Sequence, residues 1–217
     1  MRTHHPLSAA GLTLRGSAFA AAILCGSAPT ASRAEILVNL DATALPAGPL
    51  KLWKNTGSVA GDFTLTETAP TVETVKSAKG VTMSSTGFFT GPVAPNQITS
   101  AGARTIEAWV MNPAGSDFET IIAWGRRGTA NSNCSFSHGV HPVWGGFGGW
   151  ADADLDWAGR NKFGEWNYVV YTYDGAKSSL YSNGELAKSE EIALTTWEFD
   201  DTAEGKGLPF RVGAANN

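Results

Sequence analysis

Cysteine is nearly absent from this 217-residue chain, which has only Cys25 and Cys134. Cys25 lies in an uncharged apolar run, Gly16 to Gly26, that follows Arg2, His4, His5 and Arg15 and leads to the small residues before Ser32-Arg33-Ala34. The run is too short to cross a bilayer. Its order of basic, apolar and small residues predicts a secretory signal peptide over residues 1–34, cleaved after Ala34. Lipidation at Cys25 is disfavoured because the bulky Leu24 stands beside it. The remainder, residues 35–217, is long enough for one domain with a real core. It keeps Cys134 alone, so no internal disulfide forms and packing has to hold the exported domain together.

Clustered positive charge is also missing. The leader takes three of the 16 basic residues and none of the 20 acidic ones, which leaves 13 against 20 and a net charge near −7. Nucleic acid is therefore excluded as an expected partner, since phosphate neutralisation needs grouped Lys and Arg. After residue 35 no apolar set recurs at helical spacing over ten positions. There is no E-x-D-x-E pair of strand carboxylates for retaining glycosidase chemistry and no G-x-S-x-G elbow for an esterase. The glycine run Gly145 to Gly149 is followed by neither Lys-Ser nor Lys-Thr, so it predicts close backbone approach or a bulge rather than a phosphate loop.

Aromatic residues and short β-rich runs are plentiful, with eight Trp and ten Phe. Strands are predicted at Glu35 to Leu40, Phe63 to Leu65, Gly80 to Met83, Thr105 to Val110, Glu119 to Trp124 and Asn133 to Ser137. Further strands are predicted at Val143 to Trp150, Trp166 to Tyr173, Ser179 to Ser182, Glu185 to Lys188 and Phe210 to Val212. Asn183-Gly184 has the chemistry of a two-residue type I′ hairpin turn, and Asp174-Gly175 ends the strand before it. Together they predict a three-stranded antiparallel meander. In Trp166 to Tyr173 both faces are bulky, as in a central strand covered on both sides. Thr105 to Val110 alternates, with Ile106, Ala108 and Val110 set against Glu107 and Trp109.

Several segments in order carry a resemblance: NLDA, LWKNTGSVAGDF, RTIEAWV, ETIIAWGRRG, NCSFSHG, GGFGGW and DLDW, then EWNYVVYTYDG and LYSNGEL. This set resembles the laminin G-like members of the concanavalin A-like lectin/glucanase superfamily, in the form found in exported bacterial proteins. The resemblance implies an all-β, two-sheet antiparallel jelly-roll sandwich over residues 35–217. It also implies further strands after FRVGAANN, so the domain is expected to lack its last strands. Ile36 to Leu40 is then an edge open to a partner strand or another domain. The fold carries lectins, glucanases and interaction modules alike, so it leaves function to the site.

Trp144, Trp150 and Trp157 are the candidate ligand-binding residues, because an exposed indole face is a platform for the C–H faces of sugar rings. Core packing is the alternative for each. Asp152, Asp154 and Asp156 alternate in WADADLDW and would face one side of an extended segment, where like charges call for a cation. They are the candidate calcium ligands, with a solvated acidic loop as the alternative. Cys134, His138 and His141 lie within eight residues but do not align as zinc ligands. Glu107, and Asp117 with Glu119, are the nearest approach to hydrolytic carboxylates. The expectation is a secreted or periplasmic, non-enzymatic module that binds a glycan or glycoprotein, with calcium assistance. The alternative is a structural or adhesion module of an exported protein.

Overall fold

The fold is described by a computed structural model covering residues 34–83, 86–117, 119–198 and 207–215. The expected leader lies outside the described residues except for Ala34. Glu35 to Asn217 forms one compact unit. In chain order its strands are β1 (Gly48–Pro49), β2 (Leu52–Trp53), β3 (Phe63–Thr66), β4 (Thr71–Val75), β5 (Ala78–Thr82), β6 (Phe88–Val93), β7 (Arg104–Met111) and β8 (Thr120–Gly125). They continue with β9 (Asn133–Ser137), β10 (Phe147–Gly148), β11 (Asp154–Leu155), β12 (Trp166–Tyr173), β13 (Lys177–Ser182), β14 (Glu185–Glu191) and β15 (Pro209–Val212). The described residues contain no α-helix, and no helix among them is long and apolar enough to cross a membrane.

Two antiparallel sheets make the sandwich. One runs β11-β10-β9-β8-β15-β6-β3-β2 and the other β14-β13-β12-β7, with a small third sheet β1-β4-β5. The meander forms as the turn chemistry predicts. Asn183 and Gly184 both have positive φ, 52° and 84°, the requirement of a type I′ turn. At the preceding corner Asp174 Oδ1 accepts the Ala176 and Lys177 amides at 2.9 and 2.8 Å. β12 is internal, paired with β13 and β7. Its odd-numbered residues point into the core, and Trp166 on the other side donates its indole N–H to the Val75 carbonyl at 2.9 Å.

The core forms where the two large sheets face each other. Phe147 of β10 stacks on Tyr171 of β12 with ring centres 4.0 Å apart, and Phe136 of β9 lies 6.2 Å from the same ring. Arg104 is buried at the end of β7, its guanidinium 5.0 Å from Tyr173 and 5.7 Å from Trp124. Its Nη1 donates to the Ile98 and Gly102 carbonyls and its Nη2 to Thr196 Oγ1. These bonds tie two loops to the sandwich, a task often left to disulfides in exported domains.

Two strand expectations are corrected, and one inner strand falls where none is predicted. Ile36 to Leu40 is extended but not a strand, because its carbonyls accept from a loop rather than a sheet: Ile36 from Ser58, Leu37 from Val59 and Asn39 from Thr56. Val143 to Trp150 contributes only Phe147–Gly148 to a sheet. The residues before it close on themselves, with Gly145 donating to His141 and Gly139 to Gly145. The sequence predicts no strand over Phe88–Val93, yet β6 is an inner strand between β3 and β15. Its pairing with β15 slips between Thr90 and Val93, so Gly91 and Pro92 fall at the irregularity, where proline is tolerated.

Candidate functional site

Strand alternation builds the floor of a groove on the outer side of β8 to β11. In β9, Cys134 and Phe136 are fully buried in the core, so Asn133, Ser135 and Ser137 face outward. Thr120 of β8 stands beside them, its hydroxyl 3.4 Å from that of Ser135. On β10, Phe147 points inward and Gly148 outward. On β11, Leu155 points inward and Asp154 outward. These residues, with Asp117, Arg127, Val143, Trp144, Trp150, Ala151 and Ala215, enclose about 490 Å³.

The two tryptophans come from the connections on either side of β10. Trp144 is half-buried, with His141 stacked nearly parallel to its ring at an interplanar angle of 10°. Trp150 is 38% exposed. Its φ of 78° and the 59° of Ala151 are left-handed, a conformation disfavoured for a bulky residue. The turn is fastened by Asp154 Oδ1, which accepts the Trp150 amide at 2.9 Å, and by the Gly149 amide on the Ala153 carbonyl. Across the groove the Arg127 guanidinium lies 5.1 Å from the Trp150 ring centre.

Trp157 does not belong to this site. It is 2% exposed, and its indole N–H donates to the Ser137 and Gly145 carbonyls, each at 3.1 Å. The alternation that turns Asp154 outward turns Leu155 and Trp157 inward, so no sugar reaches that ring.

The three aspartates share the outer side but do not gather. Asp156 accepts from Lys188 Nζ at 2.6 Å and from the Ala158 amide. Burial raises its pKa, but these partners outweigh it and hold the carboxyl below the usual carboxylate range. Asp154 is pushed above that range, chiefly by burial and only partly offset by the Trp150 and Gly149 amides. Asp152 is exposed on the turn. Among the described residues no three His, Cys, Asp or Glu side chains group closely enough to hold a metal ion. These residues do not fit a calcium site, which takes six to eight oxygens converging on one point.

The zinc-spaced trio is likewise dispersed. Cys134 is in the core, where burial pushes its thiol to about 11 against the opposing Arg104. His138 is buried between Trp157 and Phe163, and burial pulls it down to about 4. His141 accepts the Val143 amide on Nδ1.

Glu107 lies on the outer face of the other sheet and accepts the Tyr168 hydroxyl at 2.6 Å, with no second acid facing it across β12. Glu119 accepts from the Ser116 hydroxyl at 2.6 Å. Asp117, by contrast, lines the groove. Asn133, Ser135, Ser137 and Gly148 were not singled out from sequence. Their signal was the parity of β9 and β10 relative to Cys134, Phe136 and Phe147.

No curated protein matches the chain. Among solved structures it is similar to domain 4 of AbnA, an extracellular arabinanase of family GH43 from Geobacillus stearothermophilus, in complex with arabinotriose. That match has a TM-score of 0.48 and 16% identity and covers 75% of this chain and 87% of that one. A laminin G family model, described as the Concanavalin A-like lectin/glucanases superfamily, matches residues 84–217. With its antiparallel sandwich and a match over more than half its length, the chain belongs to that laminin G-like family of the concanavalin A-like superfamily.

Proposed function

We propose that the groove over β8 to β11 binds carbohydrate and that the domain is a non-catalytic binding module of an exported protein. The observation that carries this reading is Trp150, a part-exposed indole held in a disfavoured backbone conformation above a polar floor. Strain of this kind gathers at ligand clamps, where the surrounding fold over-determines it. A sugar ring presents an apolar C–H face to the indole and hydroxyls to the floor, so both halves of the groove are used. The export part of the reading rests on the basic, apolar and small-residue order of residues 1–34. Calcium has no part in it.

The test is a glycan array followed by calorimetry. Covering one indole face contributes about 1–2 kcal/mol, so Trp150→Ala is expected to weaken binding roughly five- to thirtyfold. Unchanged affinity would remove the groove from the reading. Asp117 and Asp154 share the groove, so hydrolysis of the bound oligosaccharide is measured in the same samples. New reducing ends that disappear in Asp154→Asn would make the domain an enzyme.

A further inference from the structure

We propose that β7 pairs antiparallel with β7 of a second copy of this chain, so that one sheet runs through a twofold dimer. The two edges of the four-stranded sheet are built differently. β14 carries Glu185, Lys188, Glu190 and Glu191, and its pairing with β13 is broken by a bulge between Leu180 and Tyr181. Charges and bulges are the features that keep an edge from pairing. β7 runs eight residues in unbroken register with β12 and holds no proline or lysine. In the other large sheet the edge strands β2 and β11 are two residues each. β7 is thus the longest undefended edge among the described residues.

The backbone groups on this edge follow from the pairing on its other side. The Asn183 amide donates to the Tyr168 carbonyl, and Asn183 Oδ1 accepts the Tyr168 amide. Even-numbered residues of β12 therefore bond toward β13 and odd-numbered ones toward β7. Val169 is opposite Ala108 and Tyr171 opposite Ile106, so the even-numbered residues of β7 bond β12. Thr105, Glu107, Trp109 and Met111 turn their N–H and C=O groups outward, where no backbone partner meets them among the described residues. Thr105 and Glu107 are exposed, and Trp109 is 66% exposed.

A second copy meets these groups in kind. About a twofold at Ala108, Thr105 lies opposite the second copy's Met111 and Glu107 opposite its Trp109, each pair exchanging both backbone bonds. Ile106 lies opposite Val110 on the core side, where both are half-buried. The two Trp109 indoles become diagonal neighbours on the outer face, within reach of each other. Other registers fail. A twofold at Glu107 sets like charges opposite each other, and one at Trp109 sets Pro113, which lacks an N–H, against Thr105. A twofold at Ile106 carries Trp109 past the start of the facing β7. An unrelated strand has no such built-in match, and closed twofold dimers are the commonest assemblies.

The experiment is sedimentation of the full chain from about 1 to 200 µM, where a contact of this small size gives a dimer with Kd on the order of 10 µM. Trp109→Glu places a carboxylate opposite the second copy's Glu107 and is expected to weaken the dimer at least about tenfold. Trp109→Lys places an ammonium there and is expected to dimerise about tenfold more tightly than Trp109→Glu, an advantage that fades in about 1 M salt. The side chain is exposed, so both variants are expected to keep the fold.

Ala108→Cys reads the register. Residues opposite each other in a pair without hydrogen bonds sit about 4.5 Å apart, within disulfide range, so this variant is expected to oxidise to a covalent dimer. Glu107→Cys faces its copy only diagonally, at about 7–8 Å, and is expected not to. Cys134 is buried and common to all variants, as are residues 1–34, so the differences belong to β7. The Thr105, Glu107 and Trp109 amides are expected to exchange slowly in wild type and fast in Trp109→Glu. The proposal is overturned if the chain stays monomeric, if Trp109→Glu and Trp109→Lys dimerise alike, or if Ala108→Cys does not cross-link. A monomer with those amides protected would assign the edge to another segment of the chain, and a monomer with them open would leave it to a strand of a different protein; either result rejects the second copy.

Discussion

The Trp150 amide donates to Asp154 Oδ1 at 2.9 Å, closing a turn in which Trp150 itself has φ of 78°. One aspartate thus holds the exposed indole in place and also presents a carboxylate to the groove. Anchoring and recognition are coupled in this pair, so substitutions at the two positions separate stability from binding.

Trp150→Gly is expected to leave the domain as stable or up to about 1 kcal/mol more stable, because glycine adopts the left-handed conformation without the cost a side chain incurs. Sugar binding falls at the same time. Trp150→Ala loses binding without the gain in stability. Thermal unfolding beside calorimetry reads both effects, and a loss of stability in the glycine variant would show that the indole is a structural contact.

Asp154→Ala removes the acceptor of the Trp150 amide, and a loss of about 1 kcal/mol is expected by chemical denaturation. Millimolar calcium is expected to leave the melting temperature of wild type and variant unchanged, since Asp156 is engaged by Lys188 and no three ligands gather among the described residues. A calcium-dependent rise in wild type, lost in Asp154→Ala, would restore the aspartates as metal ligands.

His138 gives the fold an acid limit. Its pKa is about 4 in the folded domain and about 6.5 when unfolded. The unfolded chain therefore binds more protons between those values, and stability falls as pH drops from about 6.5 to 4. The contribution is about 3 kcal/mol, present above pH 6.5 and almost all lost by pH 4. Among the described residues neither ring nitrogen has a hydrogen-bond partner, so His138→Phe is expected to flatten this part of the pH profile without loss at neutral pH. An equally steep profile in the variant would assign the acid limit to other groups.

Asn183→Ala is expected to cost about 2 kcal/mol, from positive φ on a residue that resists it and from lost hydrogen bonds. Asn183 Oδ1 accepts the Tyr168 amide at 2.9 Å and Nδ2 donates to Asn167 Oδ1 at 3.2 Å. Asn183→Gly keeps the turn geometry and loses only the bonds, so its smaller loss divides the two effects. Equal stability of wild type and both variants would place the hairpin's stability elsewhere.

Local chemistry made much of the fold legible. Asn183-Gly184 admits one tight turn, and Ile106, Ala108 and Val110 alternate with Glu107 and the exposed Trp109 as a strand with one core face requires. β9 and β12 have the predicted boundaries because nothing in those segments competes with extended backbone. Ile36 to Leu40 has the same apolar richness, yet the loop at Thr56 to Val59 takes its carbonyls. That competition is between distant segments and leaves no local mark.

The site divides in the same way. Residue type alone singled out Trp144, Trp150 and Asp154, which line the groove, and Trp157, which is buried. The parity of Ala153, Leu155 and Trp157 marks which side of the strand each occupies, but not which side meets the other sheet. Local sequence determined the turns, the alternation and strands such as β9 and β12, because these depend on neighbouring residues and backbone sterics. Only the tertiary structure decided that β8 to β11 lie side by side. That pairing turned Asn133, Ser135 and Gly148 into one floor beneath Trp150, and it drew Asp156 to Lys188 rather than to its neighbouring aspartates, because long-range packing sets which faces meet.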